Sequence, residues 1–234
     1  RDHRDLHSFP TRRSSDLPDF IRKIYGQVQA DGAQEIVCIL ISSQMSGTLA
    51  SAQLAAADFP VPVHIHDSRN NSMGLGWQVL AAARAREAGG GVQQMLAAAE
   101  KVRDRMVYHI LLDTITYLSR GGRIGDAVAL LDSVLAVKPI VTVKPDTGTV
   151  GMALPARSHR IGKKHLYANF FKKLDTSHKM YITVLHNNIP DEAEEMAAQI
   201  RQEYAPAELF VQIVSPILGV HTGPGAIALC GYSE

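Results

Sequence analysis

The run Ile36–Ile41 contains six apolar residues in succession. An unbroken apolar run of this length is typical of a strand buried on both faces of a parallel sheet, because a strand with one solvated face alternates apolar and polar residues. The run ends at Ser42, and the alanine-rich stretch Leu49–Ala57 that follows indicates a helix. A strand followed by a helix predicts an α/β fold for this part of the chain.

The neighbouring segments continue this alternation. A second strand is predicted over Val61–His66, and helices over Met73–Ala88 and Val92–Arg103. Three glycines, 89–91, separate these helices, and glycine readily adopts the left-handed conformation of a helix end. Pro18–Ala30 is a weaker helical segment ahead of the first strand. The order predicts a parallel sheet with right-handed crossovers.

The pattern changes after Met106, where strands dominate. The predicted strands are Val107–Asp113, Pro139–Val143, Thr149–Pro155, Met180–His186, Leu209–Val214 and Ala226–Gly231. The predicted helices are Thr114–Ser119, Asp126–Leu135, Ile161–Leu174 and Asp191–Tyr204. A hairpin across Pro145–Gly148 joins two of the strands and makes a mixed six-stranded sheet the expectation. The sequence therefore predicts a first α/β domain over residues 18–105 and a second over residues 106–234.

The first seventeen residues differ from the rest. They show no sustained periodicity, and His7–Leu17 resembles the translation of a common sequencing adapter. We therefore expect residues 1–17 to be a non-native, disordered leader. A natural disordered tail or an expression remnant would show the same properties.

Composition excludes several classes of protein. Four arginines and three aspartates give the leader a charge of +1, which equals the charge of the whole chain, so the body is formally neutral and has no electrostatic footprint for nucleic acid. No apolar run approaches the roughly 20 residues of a membrane-spanning helix. Cys38 and Cys230 lie in apolar runs without metal-ligand spacing, which indicates buried free thiols and a cytoplasmic location. His64 and His66 lack a third ligand, so no metal is expected.

Polar residues cluster where the first strand ends. Ser42, Ser43, Ser46, Gly47 and Thr48 lie between this strand and the next helix, at the strand end where open α/β sheets place ligands. Hydroxyl groups and the free amides of a helix N-terminus together suit an anion, although the same residues also cap helices. The Gly-x-Ser-x-Gly and Gly-x-x-x-x-Gly-Lys-Ser/Thr patterns are absent, so neither a nucleophile elbow nor a P-loop is predicted.

Five segments resemble motifs of the bacterial DegV family. Ile41–Thr48 is similar to its "SS-x-x-SGT" segment, and His66–Gly76 to its "DS…SMG-x-G" loop. Asp113–Ile124 resembles "DT-x-x-YL-x-RGGRI", Leu135–Ile140 resembles "L-x-x-KPI", and His221–Ala226 resembles "H-x-GPGA". The five occur in the family's order and cover nearly all of the chain after residue 35.

The resemblance implies the two-domain DegV-like (EDD) fold, with a parallel first domain that is truncated at its amino terminus. The family's opening "TDS" strand and its "TSQP" loop, which carries a threonine ligand, have no counterpart in this sequence. The resemblance further implies a carrier rather than an enzyme. The carrier binds a long-chain, palmitate-like fatty acid between its domains and presents the carboxylate to a fatty acid kinase catalytic subunit for phospholipid synthesis.

The resemblance also implies site residues. Ser43 is the first expected ligand and Ser46 the next, with Ser42, Gly47 and Thr48 beside them. Arg157 stands where the family has an arginine after the hairpin, and His221 precedes the Gly-Pro-Gly turn. We expect these residues to converge on one interdomain cleft. A buried carboxylate needs several charge-assisted donors, and a sixteen-carbon chain contributes on the order of 11 kcal/mol gross at ~0.8 kcal/mol per methylene.

An alternative is an enzyme of the related dihydroxyacetone-kinase-like fold. In such an enzyme a histidine holds a small carbonyl substrate covalently. A long apolar tunnel favours the carrier, whereas a small polar pocket around His66 or His221 favours the enzyme.

Overall fold

The computed structural model describes residues 17–130 and 137–234. The predicted leader therefore lies outside the described residues except for Leu17, which is the first residue of the first helix rather than disordered. Residues 131–135 of the predicted helix Asp126–Leu135 also lie outside the described residues, as do the first two residues of the motif Leu135–Ile140.

The first domain is built on a two-stranded parallel sheet. Its elements are α1 (Leu17–Ala30), β1 (Ile36–Leu40), α2 (Thr48–Ala56), β2 (Val63–Asp67), α3 (Ser72–Glu87) and α4 (Val92–Asp104). Ile36 lies opposite Val63, and Leu40 lies opposite Asp67. The parallel α/β character predicted for this part of the chain is confirmed.

β1 is less buried than its apolar run predicts. Ile36 is buried, but Val37 and the three residues after it are only half-buried. Cys38 is therefore not the buried thiol that was expected; its Sγ lies 3.5 Å from the hydroxyl of Tyr25 on α1. In the described part of the chain β1 has β2 as its one strand neighbour, so its other edge lacks a strand.

The second domain contains the predicted mixed sheet of six strands, in the order β5-β4-β3-β8-β6-β7. Its elements are β3 (Val107–Leu111), α5 (Thr116–Arg120), the 3-10 helix Gly125–Leu130, β4 (Lys138–Val143), β5 (Val150–Ala156), α6 (His159–Lys173), β6 (Met180–His186), α7 (Pro190–Tyr204), β7 (Glu208–Ile213), α8 (Pro216–Thr222) and β8 (Ile227–Ser233). β6 and β7 are parallel and the other neighbours antiparallel. The predicted hairpin joins β4 to β5 and places Gly148 at φ +74°.

α8 is the helix that the sequence analysis missed. Ser215 precedes it, and the Ser215 hydroxyl accepts a hydrogen bond from the Leu218 N–H at 3.4 Å. Pro216 occupies its first turn, where the absent N–H of proline has no cost. A serine followed by proline is a helix-start signal, so this helix could have been predicted despite its seven residues.

One hydrophobic core joins the two domains. Trp77 of α3 is fully buried and stacks on Phe210 of β7, with 5.1 Å between ring centroids. Tyr181 and Tyr232 meet the same indole edge-on at 5.8 and 5.9 Å. The opposite face of the six-stranded sheet packs on α6 and α7, around buried side chains such as Phe170. The sheet is therefore covered on both faces, and the first domain forms one of the two covers.

Candidate functional site

A cleft of about 280 Å³ opens between the domains at the carboxyl end of β1. Its apolar lining comes from both domains and consists of Ile41, Met45, Leu118, Val150, Ile217 and Leu218. Its polar lining consists of Ser46, Asn71, Ser72, Arg123, Ser215 and His221. The cleft therefore contains two of the predicted ligands, Ser46 and His221, and it combines an apolar wall with several hydrogen-bonding groups.

Ser46 lies at the entrance to α2. Its hydroxyl is 2.8 Å from the Thr48 hydroxyl and accepts a hydrogen bond from the Thr48 N–H at 3.3 Å. Gly47 is the N-cap of α2 and supplies no side-chain cap. The strand-to-helix turn thus places Ser46 beside the positive end of the helix dipole, where an anion is favoured.

Ser43 is not among the residues that line the cleft. Its hydroxyl donates to the Asp67 carboxylate at 2.6 Å, and its N–H lies 3.3 Å from the same group. The Arg69 N–H donates to Asp67 as well, at 2.8 Å. Because the Ser43 proton is engaged by a carboxylate, a second carboxylate there would be repelled. The structure therefore does not bring Ser43 into the site, contrary to the expectation.

Ser42 holds the domains together. It is fully buried, and its hydroxyl donates to the Gly148 carbonyl at 2.7 Å, across the interdomain boundary. It also accepts from the Gln44 N–H at 3.2 Å. A Cβ atom at Gly148 would lie 2.3 Å from the Ser42 hydroxyl, so the hairpin approaches this closely only with glycine. Ser42 thus forms a contact between the domains and does not line the cleft.

Arg157 is exposed and does not line the cleft. It follows Ala156, which pairs with Lys138 at one end of the hairpin, whereas Val150, which lines the cleft, pairs with Val143 at the other end. Six steps of an extended strand separate Val150 from Ala156, or roughly 20 Å at about 3.3 Å per residue. Arg157 therefore does not line this cleft together with Ser46 and His221.

The arginine that lines the cleft is Arg123. Its Nε donates to the Met45 carbonyl of the first domain at 3.1 Å, and its Nη1 donates to the Gly121 carbonyl at 2.8 Å. Arg123 was not among the site residues expected from the sequence. The signal for its role was its place in the Arg-Gly-Gly-Arg motif, because those glycines allow the turn to approach α8 and the first domain.

His221 packs on the backbone of Gly121. A Cβ atom at Gly121 would lie 2.1 Å from His221 Nδ1, so any larger residue would displace the ring. Nδ1 is buried and has no hydrogen-bond partner in the described part of the chain. The unpartnered Nδ1 thus lies against Gly121, while the residue as a whole lines the cleft.

Both histidines of the first domain have side-chain partners. His64 pairs with Glu35 at 2.8 Å, and His66 Nε2 lies 3.0 Å from the side-chain oxygen of Gln78. Burial lowers the pKa of His66. Within residues 17–130 and 137–234, no group of three or more His, Cys, Asp or Glu side chains is arranged to hold a metal ion. Over the same ranges no helix is long and apolar enough to cross a membrane.

The chain is thus an α/β protein of two domains, which share a hydrophobic core and enclose a largely apolar cleft. Residues 11–234 match the sequence model of a family described as "Uncharacterised protein, DegV family". The chain belongs to the DegV family.

Relatives from several bacteria support this assignment. A DegV domain-containing protein of Streptomyces coelicolor is 35% identical over 223 residues, which cover 94% of this chain and 78% of that protein. Another from Clostridium acetobutylicum is 33% identical over 206 residues, covering 86% of this chain and 71% of that protein.

Solved structures share the fold. A structure described as "Fatty Acid Binding of a DegV family Protein from Thermus thermophilus" superposes with a TM-score of 0.83 at 30% identity, covering 93% of this chain and 77% of that one. A DegV family protein from Eubacterium eligens, loaded with heptadecanoic acid, superposes with a TM-score of 0.79 at 21% identity, covering 93% and 78%. The second likeness shows the fold alone.

Proposed function

We propose that this protein binds a long-chain fatty acid in the interdomain cleft, with the carboxylate at Ser46, Arg123 and His221. The observation that carries the proposal is the composition of the cleft, an apolar wall from both domains with hydroxyl, guanidinium and imidazole groups beside it. The fatty acid binding described for the similar Thermus protein supports the same ligand class.

The polar groups suit a carboxylate for physical reasons. Arg123 supplies a permanent positive charge, and a hydrogen bond to a charged group contributes about 1.5–3 kcal/mol. If the Thr48 hydroxyl donates to Ser46, the Ser46 proton is left for the ligand, since either oxygen of this pair can be the donor. These donors keep a carboxylate ionised beside hydrocarbon, where it would otherwise become protonated.

The apolar wall suits the acyl chain. Leu118 and Val150 are buried, and each methylene that leaves water for such a surface contributes ~0.8 kcal/mol. The cleft volume of about 280 Å³ is small, near the lower end of the ~300–1,000 Å³ that is usual for ligand pockets. The acyl chain length that the cleft prefers is therefore to be measured by titration, with palmitate as the first ligand.

We further propose that the protein is a cytoplasmic carrier rather than an enzyme, and that it presents the carboxylate to a fatty acid kinase catalytic subunit for phospholipid synthesis. The resemblance of five motifs to the DegV family supports this step. Arg123, which is exposed at the cleft, would leave the carboxylate end within reach of a partner. The rival reading as a small-carbonyl enzyme has no support, because His66 is already bound to Gln78 and the cleft at His221 is largely apolar.

Isothermal titration with palmitate, and with a series of shorter and longer fatty acids, tests the proposal. The variant Ser46→Ala/Arg123→Ala loses two donors to the carboxylate, so its affinity should fall at least ~100-fold. The matched control Ser43→Ala/Arg157→Ala makes the same two changes outside the cleft and should bind as the unmodified protein does. A folded control that loses binding, beside a Ser46/Arg123 variant that keeps it, would move the site away from this cleft.

A further inference from the structure

Asn71 presents a buried polar atom that nothing satisfies. The residue lines the cleft and is 5% exposed. Its Nδ2 donates to the Met45 Sδ at 3.2 Å, but its Oδ1 has no hydrogen-bond partner in the described part of the chain. The reverse amide orientation would set the carbonyl against a thioether, which has no hydrogen to donate. A buried acceptor without a partner is uncommon in folded proteins and calls for an explanation.

The position of Asn71 is fixed by the loop that carries it. The Ser42 N–H donates to the Asn70 carbonyl at 2.9 Å, which ties this loop to the one that bears Ser46. Ser72, the next residue, has φ +44°, a left-handed conformation that non-glycine residues rarely adopt. Such strained backbone is concentrated at ligand sites. Because Met45 and Ser46 are neighbours in sequence, the Asn71 amide lies at the end of the cleft that Ser46 marks.

A plain fatty acid cannot satisfy this acceptor. An ionised carboxylate has no hydrogen to donate, and Arg123 favours the ionised form. The rest of the ligand is hydrocarbon. A hydroxyl group on the acyl chain, close to its carboxylate, would supply a donor to this acceptor.

We propose that Asn71 is a ligand-binding residue whose Oδ1 accepts a hydrogen bond from a hydroxyl group on one of the first few carbons of the acyl chain. The cleft then selects hydroxylated fatty acids over unsubstituted ones of the same length. This inference rests on the proposed function and specifies its ligand class. Met45 covers the amide, and its unbranched, flexible side chain can rotate to admit the hydroxyl.

Titration calorimetry with four ligands tests the selection: palmitate, 2-hydroxypalmitate, 3-hydroxypalmitate and 16-hydroxypalmitate. The 2- or the 3-hydroxy acid should bind roughly tenfold more tightly than palmitate, because it satisfies a buried acceptor. The 16-hydroxy acid, which carries its hydroxyl at the far end, should show no gain. If palmitate binds and neither near-carboxylate hydroxyl improves affinity, this inference is overturned while the proposed function stands; if none of the ligands binds, both fail.

Asn71→Leu tests the residue itself. It removes the acceptor at similar size, so the ratio of hydroxy-acid affinity to palmitate affinity should fall from roughly tenfold to about one. Asn71 is the N-cap of α3 but makes no side-chain cap bond, so the helix start does not depend on its amide. Asn169→Leu on α6, outside the cleft, is the matched control and should keep the preference. A folded Asn71→Leu protein that still prefers the hydroxy acid would assign the hydroxyl to another residue, and Asn71→Ala serves the same purpose if leucine prevents folding.

Discussion

The substitution Gly121→Ala should displace the His221 ring at only a moderate cost to the stability of the fold. Gly121 has φ −75° and ψ −10°, which alanine adopts without strain, so the backbone carries no penalty. The new methyl group would lie 2.1 Å from His221 Nδ1 and 2.6 Å from its Cε1. Ordinary contacts lie near 3.5–4.0 Å, so the ring must move by about 1.5 Å or change rotamer.

The magnitudes follow from this displacement. Overpacking costs about 1–3 kcal/mol, which is partly offset by about 0.4–1 kcal/mol because alanine restricts the unfolded chain. The net loss of stability should therefore be at most about 2–3 kcal/mol. The loss of a hydrogen bond from His221 to a bound carboxylate is worth about 1.5–3 kcal/mol, so palmitate affinity should fall roughly 10- to 150-fold.

Chemical denaturation and titration calorimetry on the same preparation give both quantities. Gly26→Ala is the control, because nothing lies within 4 Å of a Cβ at Gly26 in α1, and alanine there should be neutral or slightly stabilising. In a His221→Ala background Gly121→Ala should cost little further affinity, since both changes act on one side chain. Full additivity of the two losses, or a Gly121→Ala protein with unchanged affinity, would refute the placement of His221 as a ligand.

Two further predictions concern stability. Trp77→Ala should lower the free energy of unfolding by about 3–5 kcal/mol in urea, whereas Ile217→Ala, at a side chain that is 79% exposed, should change it by under about 0.5 kcal/mol; similar effects would contradict the shared core. His109 is buried with both ring nitrogens unpartnered among the described residues, and burial lowers its pKa to about 4. Since the unfolded chain binds this proton more tightly, the free energy of unfolding should be highest above about pH 6.5 and fall by up to about 3 kcal/mol towards pH 4. His109→Leu should reduce this dependence of the urea midpoint on pH. An unchanged slope would assign the acid sensitivity to another group.

The sequence predicted the positions of the strands better than it predicted how deeply they are buried. Six strands of the second domain were placed correctly, because runs such as Met180–His186 are apolar and bounded by polar segments. The run Ile36–Ile41 identified a strand correctly but overstated its burial. An apolar run records the character of the strand itself, whereas burial also depends on how many neighbours lie beside it.

The candidate site was predicted in part. Ser46 and His221 line the cleft, each in a motif next to a turn or helix end. Arg157 was expected because the resemblance places an arginine after the hairpin, and the sequence does not show which end of a hairpin faces the other domain. Asn71 was missed because an asparagine before a helix is most simply a cap, and only the coordinates show that its carbonyl lacks a partner.

The stacking of Trp77 on Phe210 has a consequence for how the protein unfolds on heating. Because α3 contributes its largest side chain to the core of the six-stranded sheet, neither domain can melt without exposing the other, and a single cooperative transition is the expected behaviour. The Ser42–Gly148 contact lies on the same boundary and fixes the gap between the domains at one edge of the molecule. The two domains that form the cleft therefore unfold as one cooperative unit. A ligand that binds in the cleft should raise the melting temperature of the whole chain.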